Sequence, residues 1–471
     1  MKLLNRQNAN ITSDRPIKVL QFGTGNFLRG FVDWVIDILN EKTDFHGDVQ
    51  IVQPHGRLPA AELQAQEGLF HVITRGLQNA EVVETERLIT SVRPAINPYL
   101  EYDQFLALAD NPELRFMVSN TTEAGIFFDP QDSRGENVPV SFPGKLTALL
   151  HRRFVFFDGD PSKGLIHLPC ELIEQNGQKL KQTILQYSEL WSLGDEFEDW
   201  IIRHHSFCNT LVDRIVPGFP QENTEAIQQK IGFKDDLMVT AEPFHLWVIE
   251  GPESLEKELP VSRTGLDIHF VKDLSPYRTR KVRILNGAHT AMVPLAYLKG
   301  LRTVREAVED SFISEFLSKA IYNEIIPTLD LSKEELEKFA QDVIERFKNP
   351  FIKHQLKDIA LNSISKFQVR VLPSLIEYYR QNKELPENLV MSFAALMVFY
   401  RGRYNGEELP VRDTEEVLAF FQQAWQNDDI ETFIATVLSN TSLWNNDLSE
   451  IKGLSGELKE NLLTLLEQEN Q

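Results

Sequence analysis

The segment Arg278–Ala291, RTRKVRILNGAHTA, puts a lysine where a helix would be apolar. On an α-helical wheel centred on Lys281, Leu285 falls at about 40°, Met292 at about 20°, Ala288 at about 340° and Ile284 at about 300°. This is a narrow apolar stripe with an ammonium in its middle, bordered by His289 at about 80° and Asn286 at about 140°. An ammonium held among apolar groups gives up its proton near neutral pH, the range in which a general acid/base works. An asparagine amide donates to a developing alkoxide, and a histidine can fix a substrate hydroxyl. The same residues also fit a lysine that snorkels from a helix end and a satisfied core histidine.

A second piece of chemistry stands near the N-terminus, where Ile17–Gly30 reads IKVLQFGTGNFLRG. A buried strand runs into Gly23 and Gly25, and a helix starts at once. Glycines there allow a tight turn and a close approach to a pyrophosphate, while the new helix points its unpaired N–H groups at the anion. The third glycine of the usual fingerprint would fall at Leu28, and Gly30 follows Arg29 instead. The next strand ends Gln53-Pro54-His55-Gly56-Arg57 rather than in the acid that meets the adenosine ribose. Arg57 suits a 2′-phosphate, so NAD and NADP both stay open. A third piece, CNTLVDRIVP, offers Asn209; its plain reading is a helix start capped by Asn209, with Asp213 and Arg214 paired.

These groups need elements to hold them. Strand-like runs at Ile17–Phe22, Val49–Val52, Phe70–Thr74, Phe116–Ser119 and Gly164–Leu168 alternate with amphipathic stretches such as Phe27–Asn40. Such alternation predicts an α/β fold with a parallel sheet covered on both faces. From about Arg278 the texture turns helical, with helices expected at Lys333–Phe347, Ser374–Gln381 and Glu415–Gln426. A charged amphipathic stretch, Leu448–Glu469, reads as a surface helix or subunit contact. The expected division is therefore residues 1–277 and 278–471, in keeping with a length of 471.

Composition narrows the function. With 69 acidic and 48 basic side chains the net charge is −21, which opposes nucleic-acid binding and adsorption to anionic membranes. Two cysteines cannot build a disulfide framework, the N-terminus lacks a signal-peptide core, and no long apolar run appears, so a cytoplasmic protein is expected. His167-x-x-Cys170 and His204-His205-x-x-Cys208 carry zinc-type ligands, but their spacing matches no zinc pattern and no metal is expected.

Taken together, these pieces resemble the polyol-specific long-chain dehydrogenases, the mannitol dehydrogenase family. The family's lysine, with asparagine five residues on and histidine eight on, matches Lys281, Asn286 and His289. Its asparagine ahead of V-D-R-I-x-P matches Asn209, and its G-x-G-x-F-x-R matches Gly23, Gly25, Phe27 and Arg29. Further likeness lies in Gln66–Phe70 (QEGLF), Ser119–Gly125 (SNTTEAG), Pro169–Glu171, Asn176-Gly177 and Glu242–Val248 (EPFHLWV). The resemblance implies a Rossmann-type N-terminal domain, a mostly α-helical C-terminal domain, an active site in the cleft between them, NAD(H) or NADP(H), and no catalytic metal. By the same resemblance Lys281 protonates the alkoxide, Asn209 and Asn286 hold its oxygen, and His289 orients the substrate. Gly23, Gly25, Asn26, Phe27 and Arg29 form the cofactor turn. A glutamate stands three residues before the lysine in the mannitol enzymes; here it is Arg278. That cation, with Lys366 and Arg370 in the loop SISKFQVR, suits a small sugar-acid substrate.

Overall fold

The computed structural model describes every residue except 13, 57–59, 123, 135–137, 428 and 470–471, so Arg57 lies outside the described residues. The chain divides into two compact units: Met1–Gln78 with Val82–Leu274, and Ser275–Gln471 with Asn79–Glu81.

The first unit carries strands β1 (Ile17–Phe22), β2 (Asp48–Val52), β3 (Phe70–Gln78), β4 (Glu81–Ile89), β5 (Val92–Ile96), β6 (Phe116–Ser119), β7 (Ile166–Pro169) and β8 (Ser206–Phe207). A six-stranded parallel sheet runs in the order β5-β2-β1-β6-β7-β8. Its strands read as unbroken apolar runs because both faces are covered. Val19, Phe116 and Val118 face one layer with Phe31 and Val35, whereas Leu20, Phe22 and Met117 face the other with Phe142, Leu146 and Leu180. The second layer is supplied by helices α2 (Phe142–Phe156) and α3 (Asn176–Leu190), and the first by α1 (Trp34–Lys42).

Two small sheets accompany the large one. Strand β9 (Asn209–Asp213) pairs antiparallel with β11 (Leu246–Glu250), which runs parallel to β12 (Ile268–Val271). Strand β3, longer than the expected Phe70–Thr74, joins β10 (Val239–Ala241) and β4 outside the main sheet. The helix start read at Asn209 is thus a strand: NTLVD is buried throughout and paired residue for residue from Asn209↔Glu250 to Asp213↔Leu246.

The second unit is helical, with α4 (Gly287–Leu298), α5 (Lys333–Phe347), α6 (Ser363–Arg370), α7 (Glu387–Phe399) and α8 (Leu454–Gln468). The stretch expected as one surface helix from Leu448 breaks at Gly453, whose φ is +90°, and resumes as α8. Leu454, Leu458, Leu462 and Leu465 are buried, so this helix contributes a core stripe rather than a free surface. No helix among the described residues is long and apolar enough to cross a membrane.

The histidines of the rejected zinc reading meet each other in the first unit. His167 Nε2 lies 2.9 Å from His205 Nδ1, which also accepts the Leu165 N–H at 3.2 Å. His167 therefore donates through Nε2, and both rings are buried and neutral. His167 stacks on Phe207 at 4.2 Å, and Trp200 closes on His205 at 4.3 Å. Among the described residues no group of three or more His, Cys, Asp or Glu is placed to hold a metal ion. Burial pushes the His167 imidazole down to about 3 from 6.5, and His205 falls too, by burial first and then because two protonated rings would repel. A depressed histidine leaves stability intact above about pH 6.5 and removes it as the unfolded chain takes up protons that the folded one refuses. Unfolding free energy should fall by about 2 kcal/mol for each ring between pH 8 and about pH 5. Urea denaturation at the two pH values tests this: the double variant His167→Phe, His205→Leu should lose that dependence, and an unchanged slope would refute the assignment.

Candidate active site

In the first unit, the turn after β1 has the geometry its glycines predict. Gly23 adopts φ +139°, and a Cβ there would sit 2.8 Å from Leu28 Cδ1 and 3.0 Å from the Asn120 carbonyl oxygen. Around Gly25, its chain neighbours aside, no atom of the described residues lies within 4 Å of a would-be Cβ, so the turn presents bare backbone. The missing third glycine is explained two residues on. A Cβ on Gly30 would lie 2.9 Å from Val216 Cγ1 and 3.1 Å from Val239 Cγ1, so Gly30 supplies the close packing that Leu28 cannot. The delay coincides with a π turn over Arg29–Asp33, which inserts an extra residue between the turn and α1. A parallel sheet whose order reverses between β1 and β6, with an open glycine turn at that point, fits a dinucleotide.

The other residues of the motif divide by role. Arg29 is 8 % exposed; its Nη1 donates to the Leu237 carbonyl at 2.5 Å and its Nη2 to Asn26 Oδ1 at 2.6 Å. It therefore reaches the turn through Asn26, which is exposed, and burial depresses its guanidinium. Phe27 stacks on Phe31 at 5.1 Å. Gln53, where the ribose-binding acid usually stands, donates to the His55 carbonyl at 2.8 Å.

Asn209 opens β9 and is buried. Its Nδ2 donates to Glu250 Oε1 at 2.9 Å, and its Oδ1 accepts the Gln178 N–H at 3.2 Å. Arg214 of VDRI, read as the partner of Asp213, donates to the carbonyls of Glu242 at 2.9 Å and Gly30 at 2.6 Å. It ties its strand to the dinucleotide-turn helix, and burial pushes it down to about 9.

In the second unit, Lys281–Asn286 is not α-helical but a π turn, leading straight into α4; the Gly287 N–H reaches the Val282 carbonyl five residues back. A π turn advances only about 80–85° per residue, which rotates Asn286 from about 140° to within about 60° of Lys281. Three α-helical steps then bring His289 almost into line with both. The wheel drawn from sequence put Asn286 on the flank; the extra residue in the turn is what gathers the three on one face. Lys281 and Asn286 are half-buried and His289 is 9 % exposed. The His289 ring is fixed by stacking on Phe347 at 4.1 Å and by the edge of His354 at 5.1 Å. Arg280 anchors the turn from behind, donating to Glu335 at 2.8 Å and lying 4.4 Å over Phe339. Arg278 is half-buried and one turn ahead of the lysine.

The expected loop SISKFQVR is helix α6, because Ile364 and Phe367 are buried at helical spacing. Its C-terminus comes against α4 at Gly287, where a Cβ would lie 3.1 Å from the Arg370 carbonyl oxygen. Arg370 Nη1 reaches Thr290 Oγ1 at 3.5 Å, and Thr290 Oγ1 donates to the Asn286 carbonyl at 2.8 Å. Burial alone depresses the Arg370 guanidinium. Lys366, one turn earlier, donates to the Ile359 carbonyl at 2.8 Å; burial and then Arg370 push it down while Asp413 opposes them. Of the residues singled out from sequence, the second unit thus brings together Lys281, Asn286, His289 and Arg370.

Comparison with known proteins places this arrangement. Residues 17–263 match the model of the mannitol dehydrogenase Rossmann domain, and residues 273–466 that of the mannitol dehydrogenase C-terminal domain. The altronate oxidoreductase of Phocaeicola vulgatus is 46% identical over 469 residues, spanning 99% of this chain and 98% of that one. That of Bacillus subtilis is 48% identical over 457 residues, spanning 97% and 94%. Among solved structures, a D-sorbitol dehydrogenase in substrate-free form shares the fold with a TM-score of 0.79 at 22% identity, covering 99% of this chain and 97% of that one. So does the mannitol 2-dehydrogenase of Pseudomonas fluorescens, solved with NAD and D-mannitol, with a TM-score of 0.67 at 23% identity and 99% of both chains covered. By both domain models and by relatives spanning its length, the chain belongs to the mannitol dehydrogenase family and is a nicotinamide-dependent oxidoreductase.

Proposed function

We propose that this enzyme interconverts D-tagaturonate and D-altronate with NAD(H), as a step in hexuronate breakdown. The observation that carries the substrate is Arg370, a half-buried cation whose guanidinium reaches Thr290 at 3.5 Å, beside the face that bears Lys281, Asn286 and His289. Lys366 and Arg370 are like charges one helical turn apart, an arrangement that costs stability unless an anion comes between them. A uronate carboxylate is such an anion, and the naming of near-full-length relatives as altronate oxidoreductases points the same way.

In the reducing direction the Lys281 ammonium gives its proton to the ketone oxygen as the C–O bond becomes that of an alcohol. Asn286 donates to the same oxygen while its negative charge develops. His289, held between Phe347 and His354, orients a neighbouring hydroxyl, and Arg370 holds the carboxylate with Lys366 and Arg278 adding to the local positive field. The Gly23–Phe27 turn would hold NADH, which would supply the hydride. Lys281 then takes a proton back from water, and oxidation of altronate runs the same transfers in reverse. Purified enzyme given NADH should lose NADH absorbance rapidly with tagaturonate and slowly with fructuronate or fructose. Faster turnover of either alternative would overturn the substrate assignment and leave the reaction class.

A further inference from the structure

The stretches SNTTEAG, PCE and NG are left without a role by the chemistry above, and in the first unit they interlock at the carboxyl ends of β6 and β7. Glu171, 3 % exposed, is the knot. Its Oε2 accepts the Ser119 hydroxyl at 3.0 Å; its Oε1 accepts the Thr121 N–H at 3.0 Å and the Thr121 hydroxyl at 3.1 Å. The residue between those two, Asn120, donates through Nδ2 to the Cys170 carbonyl at 2.8 Å. Asn176 in turn donates to the Glu171 carbonyl at 3.1 Å, and Gly177 leaves it room, since a Cβ there would lie 2.4 Å from the Cys208 carbonyl oxygen.

The place matters because β6 neighbours β1 where the strand order reverses, and ligands of open parallel sheets bind outside the carboxyl ends at that point. One wall of the crevice is the Gly23–Gly25 turn. The other is the Ser119–Thr121 turn, whose Asn120 carbonyl oxygen would lie 3.0 Å from a Cβ on Gly23. We infer that Glu171 is the positioning residue of this second wall: its three accepted hydrogen bonds fix the Ser119–Thr121 turn against the glycine turn and so set the width of the dinucleotide crevice. A carboxylate buried with no ion pair to a cation among the described residues is an expensive way to tie two strands, and burial does push the Glu171 carboxyl up while the donors from Thr121 and Ser119 oppose it. An apolar pair would hold β6 to β7 at less cost; three directed acceptor bonds fix one geometry.

The inference rests on the dinucleotide reading of the first unit, and the test separates the two. Calorimetric titration of the full-length protein with NADH, and thermal melting without it, are run on wild type, Glu171→Ala, Glu171→Gln and Thr121→Val. Wild type that takes up no NADH sinks the dinucleotide reading and the inference with it. With wild-type binding present, Glu171→Ala should weaken NADH about tenfold or more, the loss expected for buried hydrogen bonds to a charged acceptor. Glu171→Gln keeps an acceptor for the Thr121 N–H and should weaken NADH by only about threefold, as should Thr121→Val. In turnover the loss should appear in the KM for NADH rather than in kcat. A Glu171→Ala protein that melts earlier but binds NADH as wild type does would reduce Glu171 to a stability role. If that variant does not fold, Glu171→Gln and Thr121→Val both binding exactly as tightly as wild type would overturn the inference equally.

Discussion

Replacing Lys281 with alanine should lower kcat by about three orders of magnitude, within the range by which a positioned general acid accelerates proton transfer. The reason is local to the π turn: Lys281 shares one face with Asn286 and His289, and of these three only the lysine and the histidine can act as an acid or base. His289 is held on Phe347 by a 4.1 Å stack, which fixes its ring for orienting a hydroxyl rather than for following a moving proton. NADH affinity should be unchanged, because the turn proposed to hold the dinucleotide, at Gly23, Gly25 and Asn26, is built without Lys281. Lys281→Arg should be nearly as inactive as the alanine variant, since a guanidinium keeps its proton at any working pH. Stopped-flow NADH oxidation and calorimetric NADH titration on both variants check this. A Lys281→Ala enzyme retaining more than about a tenth of wild-type kcat would place the proton donor elsewhere.

Much of this was readable from the chain because the informative signals were local. The β1 run, the glycines behind it and the alternation of strands with helices depend on neighbours in sequence, and β1 and β6 fall on the predicted residues. The helix Lys333–Phe347 does too, its Ser332 cap and acidic first turn marking the start. What escaped were departures from ideal periodicity. Two π turns, at Arg29–Asp33 and Lys281–Asn286, each add a residue that no wheel drawn at a constant angle anticipates. The first accounts for the displaced third glycine and the second for the apparent misplacement of Asn286. The loop assigned to Ser363–Arg370 and the helix start assigned to Asn209 failed for another reason: short segments carry too little pattern, and tertiary partners decided them, Gly287 in one case and β11 in the other. Glu171 and Arg214 had no legible role because their partners lie dozens of residues away.

Replacing Arg370 should change selectivity more than stability. A guanidinium that holds a carboxylate through charge-assisted hydrogen bonds contributes about 2–3 kcal/mol, so Arg370→Met should cost about 30–150-fold in kcat/KM for tagaturonate. Fructose, which has no carboxylate, should be turned over no more slowly by the variant than by wild type, so the preference between the two substrates collapses. Arg370→Lys should recover part of the loss, because an ammonium keeps the charge but not the two-pronged geometry. The sign of the stability change separates this from a structural role. In the free enzyme Arg370 is half-buried, makes only a long 3.5 Å bond to Thr290 among the described residues, and faces the like charge of Lys366. Such a cation costs folding free energy, so Arg370→Met should melt at the same temperature as wild type or higher, the pattern of a site that trades stability for binding. Lys366, whose ammonium already donates to the Ile359 carbonyl, should matter less: Lys366→Met should lower kcat/KM for tagaturonate by about threefold to tenfold. Equal losses for tagaturonate and fructose together with a lower melting temperature would mean that Arg370 holds α6 against α4. The carboxylate would then have to be sought at Arg278, where the family's glutamate is replaced by a cation one turn ahead of Lys281.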